Sequence, residues 1–132
     1  MKIAVDFDGT IVEHKYPAIG KERPFAIETL KAFSDAGIKL ILWTAREGEL
    51  LEQAVAFCKE RGLEFYAVNS SKPGNDLFAG RDGTSKVLAD IYIDDRNLGG
   101  IPDWGTIYEM VLDLRRPIRK KRPWWKRLWR RH

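Results

Sequence analysis

Four short apolar runs constrain the fold of this chain more than any other feature. They cover residues 2–7, 38–43, 63–68 and 89–93. Apolar runs of this length, rich in β-branched residues and bounded by turn residues, are typical of strands buried inside a sheet. We therefore predict four strands at these positions.

Predicted helices follow three of the four runs. Pro24 suits the first position of a helix over 24–36, and Gly37 suits the position just beyond its end. Residues 47–61 have the apolar spacing of an amphipathic helix, and a last helix is predicted over 105–114. Strands joined by helical crossovers indicate a mainly parallel sheet with helices on both faces.

The chain has 132 residues, enough for one domain with a single hydrophobic core. The predicted fold class is α/β, a three-layer, Rossmann-like arrangement around a mainly parallel central sheet. Cys58 is the only cysteine, so no internal disulfide can form. It falls at helical spacing with Leu51 and Val55, which predicts a small core residue.

The charge of the chain is distributed unevenly. Positions 115–132 hold ten of the 23 Lys and Arg residues and no acidic residue. The other 13 basic residues and all 19 acidic residues lie in positions 1–114, which therefore carry a net charge of −6. We predict a domain over 1–114 and a basic C-terminal tail over 115–132, which also holds three of the five tryptophans.

Acidic and hydroxyl side chains gather where the predicted strands end. Asp6 and Asp8 close the first strand, Thr44 the second, and Asp94 and Asp95 the fourth. The carboxyl ends of parallel strands lie along one edge of a sheet, where ligands bind. These side chains are therefore predicted to meet there.

Four carboxylates in one place repel one another unless a cation neutralises them. A donor set made only of oxygen suits a hard ion such as Mg²⁺, which usually shares its coordination with a substrate phosphate. Lys86 supplies a positive charge just before the fourth strand. The arrangement predicts a site that stabilises a phosphoryl group.

The ordered motifs of the chain resemble those of the haloacid dehalogenase superfamily. Residues 6–10 (DFDGT) match its DxDGT signature, and residues 40–44 (LILWT) resemble its second motif, an apolar strand that ends in Thr or Ser. Lys86 stands at the position of the third motif, and residues 91–95 (IYIDD) resemble the acidic fourth motif. The resemblance spans about 1–114 and implies this superfamily's α/β fold.

This resemblance implies a phosphatase mechanism. Asp6 would be the nucleophile that forms an aspartyl-phosphate, and Asp8 the general acid and base. Thr44 would hydrogen-bond a phosphate oxygen, and Lys86 would neutralise the transferring group. A carboxyl group at Asp8 favours ester hydrolysis over dehalogenation, because an alkoxide leaving group needs a proton.

The resemblance also implies metal ligands and substrate contacts. Mg²⁺ would be held by Asp6, by the main-chain carbonyl of Asp8, and by Asp94 or Asp95. Gly9 would allow a tight turn whose backbone N–H groups face the phosphate. The predicted substrate-binding residues are Gly9, Thr44, Ala45, Arg46 and Lys86.

The sequence leaves alternative roles open for several further side chains. Arg46 and Arg96 each follow a motif directly, so each would either contact substrate or pair with the acidic residues. His14, in the loop after the nucleophile, would be either a surface residue or a specificity residue. Thr44 would cap the following helix, bind phosphate, or do both.

The intervals between the motifs leave no room for a cap domain. About 33 residues separate Thr10 from Thr44, and the predicted loop, helix and strand use all of them. The chain resembles the capless branch of the superfamily, and most of all small bacterial proteins described only as hydrolases. Such open sites suit macromolecular substrates or a homo-oligomer in which a neighbour covers the site. The loop over 69–85 would serve as a partial lid or select the substrate.

The tail leaves several partners open. Basic residues with tryptophans suit an anionic membrane surface, and they suit single-stranded nucleic acid equally well. A solvated extension is the plain alternative. No secretory signal or membrane span is visible, so we expect a cytoplasmic protein, with peripheral membrane association as an alternative.

The sequence thus predicts a Mg²⁺-dependent phosphomonoester hydrolase whose substrate is not specified. A nucleic-acid end phosphatase recruited by the tail is one alternative. A non-catalytic phosphate-binding module, or a peripheral membrane adaptor on the same fold, is another.

Overall fold

A computed structural model describes residues 1–70 and 88–115 of the chain. Within these ranges the chain forms four strands and three helices in α/β alternation. The strands are β1 (Lys2–Val5), β2 (Lys39–Leu42), β3 (Ala67–Val68) and β4 (Ile91–Ile93). The helices are α1 (Ala26–Asp35), α2 (Gly48–Glu60) and α3 (Trp104–Arg115). No helix in the described ranges has both the length and the apolar content needed to cross a membrane.

All four strands pair in parallel, in the order β3-β2-β1-β4. Val5 of β1 lies level with Leu42 of β2 and with Ile93 of β4. The chain moves outward from β1 to β2 and β3, whereas β4 lies on the other side of β1. Ligands of parallel sheets bind at such a reversal, beyond the carboxyl ends of the strands. The predicted fold class, α/β with a parallel sheet, is confirmed.

One face of the sheet carries the main hydrophobic core. Alternate residues of a strand point to opposite faces, and Ile3 and Val5 of β1 face this core. All three helices bury their apolar sides in the same core. Its helical members include Leu30, Phe33, Leu51, Ala54, Cys58, Trp104, Ile107 and Val111.

The opposite face has its own small apolar cluster. It contains Ala4, Ile41 and Ala67, against which Trp43 and Tyr66 pack. The sequence predicts helices on both faces, but the helices of the described ranges all cover one. Successive right-handed crossovers in one direction, from β1 to β2 to β3, place α1 and α2 on the same side.

Cys58 is buried in α2, as predicted. Burial is the main reason why the pKa of its thiol rises to about 12, since a thiolate is disfavoured away from water. The thiol is therefore a core group and not a nucleophile at neutral pH.

The ends of several elements differ from the prediction. Helix α1 begins at Ala26 and not at Pro24, because Phe25 has a left-handed backbone conformation with φ 64°. Strands β3 and β4 are shorter than the apolar runs that predict them. Arg115, assigned to the tail by its charge, belongs to α3 and donates a hydrogen bond to the carbonyl of Ala36 at 3.1 Å.

No cap domain lies between β1 and β2, where the described chain forms only a loop and α1. The segments 71–87 and 116–132 lie outside the described residues. The predictions that fall there concern Lys86, most of the 69–85 loop and nearly all of the tail.

Candidate active site

Asp6 follows β1 at the carboxyl edge of the sheet. Its amide donates to the carbonyl of Ile93 at 3.0 Å, which extends the pairing of β1 with β4 by one residue. Its carboxylate Oδ1 accepts the Phe7 amide at 2.8 Å. The backbone on both sides of Asp6 is therefore fixed, and its half-buried side chain faces the end of β4.

Asp94 and Asp95 follow β4 and form an acidic cluster with Asp6. One carboxylate oxygen of each residue lies within 4.8 Å of the others. Burial, together with the hydrogen bond and the charge of Asp94, raises the pKa of Asp95 above its ordinary value. The sheet register explains why these three carboxylates lie close together. Val5 and Ile93 are paired, and the acidic residues come directly after them.

The acidic cluster fits a small, hard cation. Three half-buried carboxylates supply only oxygen donors, and a cation between them would offset the burial and the repulsion by Asp94 that raise the pKa of Asp95. Both Asp94 and Asp95 offer an oxygen to this cluster. The carboxylate of Asp8 does not belong to it, so the prediction for Asp8 as a ligand rests on its main-chain carbonyl alone.

A tight turn follows Asp6. The Phe7 carbonyl accepts the amides of Thr10, Ile11 and Val12 at 2.9–3.2 Å, and the Gly9 amide donates to Val12 at 2.8 Å. The four amides of residues 9–12 are therefore used inside the turn. The prediction that Gly9 frees backbone amides for phosphate is not supported for these groups.

Gly9 is nevertheless essential to this geometry. Its φ is +80°, a conformation that side chains disfavour, and a Cβ placed there would overlap the carboxylate of Asp95. The absence of a side chain lets the turn after β1 approach the end of β4 closely.

Asp8 is held by Arg46 in a bidentate ion pair. Arg46 Nε donates to Asp8 Oδ2 and Nη2 donates to Oδ1, both at 2.7 Å. The Arg46 side chain is fully buried, whereas that of Asp8 is 13% exposed. Of the two roles left open for Arg46, the structure therefore shows pairing with an acidic residue.

Thr44 follows β2 and is almost fully buried. Its hydroxyl oxygen accepts the Arg46 amide at 3.2 Å, so it stabilises the turn that presents Arg46. Helix α2 has Glu47 as its N-cap residue with no side-chain cap. The alternative in which Thr44 caps this helix is therefore wrong, and its contact with phosphate stays a prediction.

These side chains line one cavity of about 380 Å³. Its walls contain most of the predicted site residues, together with Tyr16, His14 and Arg96, which are exposed at the rim. The lining is Asp6, Asp8, His14, Tyr16, Thr44, Ala45, Arg46, Asp95 and Arg96. Asp94 joins through the acidic cluster and Gly9 through its approach to Asp95. Lys86 lies outside the described residues.

A solved structure resembles the whole described architecture. It is the structure of a conserved protein from Bacteroides thetaiotaomicron, 58% identical to this chain, with a TM-score of 0.78. The similarity covers 87% of this chain and 92% of that protein. This chain belongs to the same family.

Other comparisons add nothing to this family assignment. No model of a known protein family matches the chain, and no match was found among curated proteins. The chemistry of the site therefore follows from its own residues.

Asn69, which follows β3, has a role in the site that the sequence did not indicate. Its Oδ1 accepts the amide of Thr44 at 2.8 Å, and the residue is only 9% exposed. Its φ of 50° is a left-handed conformation, which Asn tolerates better than most residues. An Asn directly after a buried strand could have indicated a residue at the site. The polar composition around Asn69, however, predicts only the start of a loop.

Proposed function

We propose that this protein is a Mg²⁺-dependent phosphomonoester hydrolase with Asp6 as its nucleophile. One observation carries the proposal. The Asp6 carboxylate belongs to a three-carboxylate cluster with an all-oxygen donor set, and it lines the same cavity as the separately held carboxylate of Asp8. Two carboxylates in different environments at one cavity can divide nucleophilic and acid–base roles.

Asp6, Asp94 and Asp95 would hold the metal ion. When bound, Mg²⁺ would offset the negative charge of the carboxylates and of the incoming phosphate. The remaining chemistry belongs to residues of the chain.

In the first half-reaction, an Asp6 oxygen attacks phosphorus and the bond to the ester oxygen breaks. The departing oxygen takes a proton from the Asp8 carboxyl group and leaves as an alcohol. In the second half-reaction, Asp8 accepts a proton from water while the water oxygen attacks phosphorus. The bond to Asp6 breaks, its electron pair returns to the carboxylate, and inorganic phosphate leaves.

The shape of the cavity favours an accessible phosphate group. His14, Tyr16 and Arg96 at the rim are exposed, and no cap domain covers them within the described residues. Such a rim suits a phosphate on a larger molecule, which need not be enclosed completely. A panel of phosphomonoesters of different size would identify the class of molecule that carries the phosphate.

The test is phosphate release from a panel of phosphomonoesters, with and without Mg²⁺, for wild type and Asp6→Asn. The panel contains sugar phosphates, nucleotides and end-phosphorylated oligonucleotides. We expect turnover that requires Mg²⁺ and falls at least about 10³-fold in Asp6→Asn, because the amide cannot form the acyl phosphate. Preference for the oligonucleotides would select the nucleic-acid alternative.

Asp35→Asn is the matched control, since it makes the same chemical change at an exposed residue in the last turn of α1. Its turnover should equal that of wild type. Inactivity of the wild type on the whole panel would contradict the proposal and favour a phosphate-binding module. Equal activity of Asp6→Asn would remove Asp6 as nucleophile.

A further inference from the structure

Arg46 is a charged side chain of the cavity whose N–H groups are all engaged. Two of its N–H groups bind Asp8, and the others donate to backbone carbonyls. Nη2 also donates to Ala18 at 2.9 Å, and Nη1 donates to Pro17 at 3.2 Å and Leu50 at 3.4 Å. A guanidinium group has five N–H donors, and all five have acceptors here.

This saturation argues against direct binding of substrate by Arg46. The side chain has no exposed surface, and a phosphate oxygen could reach it only by displacing one of its present acceptors. Displacement would leave a buried carbonyl or carboxylate without its donor, which is costly. Arg46 therefore acts on other parts of the site and not on the substrate.

Two aromatic rings further limit the movement of the guanidinium group. Its carbon atom lies 5.2 Å from the ring centre of Phe7 and 5.2 Å from that of Tyr16. Cation–π attraction at such distances adds to the hydrogen bonds. Phe7 lies between Asp6 and Asp8 in the sequence, so the same cation lies over the side chain of the residue that separates the two carboxylates.

We propose that Arg46 is a positioning residue that orients the Asp8 carboxyl group for proton transfer and ties it to the 16–18 loop at the cavity rim. This inference rests on the proposed function. Each carboxylate oxygen has two lone pairs, so an oxygen held by Arg46 can still exchange a proton with substrate or water. The Pro17 and Ala18 carbonyls, bound to the same guanidinium group, fix the loop relative to Asp8.

A lysine cannot reproduce this geometry. It keeps the positive charge but lacks the planar fork that binds both carboxylate oxygens at once. Arg46→Lys therefore changes the orientation of Asp8 while leaving a buried cation near it. This substitution separates positioning from charge.

The test measures kcat and KM for wild type and Arg46→Lys with an alkyl phosphate and with p-nitrophenyl phosphate. An alkoxide needs the proton from Asp8, whereas p-nitrophenolate leaves readily without one. We expect kcat/KM for the alkyl ester, which reports the first half-reaction alone, to fall about 10- to 100-fold, within the range of general acid–base catalysis. The fall in kcat/KM for p-nitrophenyl phosphate should be much smaller, because its leaving group needs no proton, whereas kcat for either ester also includes the water attack for which Asp8 is the base.

Arg61→Lys serves as the matched control. Arg61 also pairs with a carboxylate, that of Glu22 at 3.1 Å, and lies over a phenylalanine ring, but it is half-exposed and outside the cavity. Its kcat should equal that of wild type for both esters. Thermal unfolding of both variants establishes that a folded protein is being compared.

A second measurement places Arg46→Lys in the Asp8→Asn background. If Arg46 acts through Asp8, the lysine substitution should lower p-nitrophenyl phosphate turnover no further there. An equal loss in both backgrounds, a raised KM with unchanged kcat, or equal losses of kcat/KM for the two esters would overturn the inference. Asp6-dependent turnover in the wild type would still stand in those cases, whereas its absence overturns both proposals.

Discussion

Gly9 has a steric requirement that can be separated from its backbone strain. Its φ is +80°, and a Cβ there would overlap the Asp95 carboxylate, which belongs to the acidic cluster. Gly37, at the end of α1, has a similar φ of +87°, but a Cβ at that position would have nothing within 4 Å. The two glycines thus share strain and differ in their surroundings.

We predict that Gly9→Ala and Gly37→Ala each lower the free energy of unfolding by about 1–2 kcal/mol, because both force a side chain into a left-handed conformation. Only Gly9→Ala should also lose most Mg²⁺-dependent activity, since it displaces Asp95. Urea unfolding and phosphate release measure the two effects. Full activity in Gly9→Ala would show that the Asp95 position is not critical.

The sequence indicated most of the residues that form the candidate site, but not how they pair. Asp6, Asp94 and Asp95 could be placed together because parallel strands end at one edge. The sequence could not decide whether Arg46 pairs with Asp8 or contacts substrate. Both residues follow strand ends, and this placement is compatible with either role. The backbone acceptors of Arg46, the Pro17 and Ala18 carbonyls, carry no side-chain signature at all.

At the level of elements, α3 is joined to the turn of residues 7–12 and begins with a side-chain cap. The Trp104 indole N–H donates to the Thr10 carbonyl at 3.0 Å inside the core. Asp103, just before the helix, accepts the Thr106 amide at 3.0 Å and the Thr106 hydroxyl at 2.8 Å. These hydrogen bonds lower the pKa of Asp103, because they favour its charged form.

The cap predicts a specific loss of stability in acid. The pKa of Asp103 is lower in the folded protein than in the unfolded chain, so the unfolded chain takes up the proton first as pH falls. The stabilisation is present above the ordinary value of 3.8 and disappears as pH falls through the folded pKa. Asp103→Asn keeps a capping oxygen without a titrating charge.

We therefore predict that the free energy of unfolding falls more steeply in wild type than in Asp103→Asn between about pH 5 and pH 2. Urea unfolding at several pH values measures the difference in unfolding free energy between the two proteins. The other carboxylates contribute equally to both proteins, so this difference reports Asp103 alone. Parallel curves for the two proteins would show that the cap does not depend on the charge of Asp103.

Helix interiors were easier to predict than helix ends. Amphipathic spacing placed α2 within one residue at each end. The start of α1 was wrong because Phe25, exposed and left-handed, follows a proline that suits a first helical position. No local preference of phenylalanine indicates that conformation.

At the scale of the whole molecule, the order of the elements determines where chemistry can occur. Four short apolar runs were sufficient to predict a parallel sheet, and the sheet order then places β1 beside both β2 and β4. The sequence did not show that all the described helices share one face, because periodicity gives the buried side of a helix but not the side of the sheet it covers.

The central claim is that phosphate passes through a covalent bond to Asp6. The most direct test mixes the protein with a ³²P-labelled phosphomonoester and Mg²⁺, quenches in acid within milliseconds, and maps the labelled peptide. With labelled p-nitrophenyl phosphate, whose leaving group needs no proton, the account predicts label on Asp6, more of it in Asp8→Asn, whose second half-reaction lacks its base, and none in Asp6→Asn. Phosphate release with no labelled protein, or with label on another residue, would contradict it.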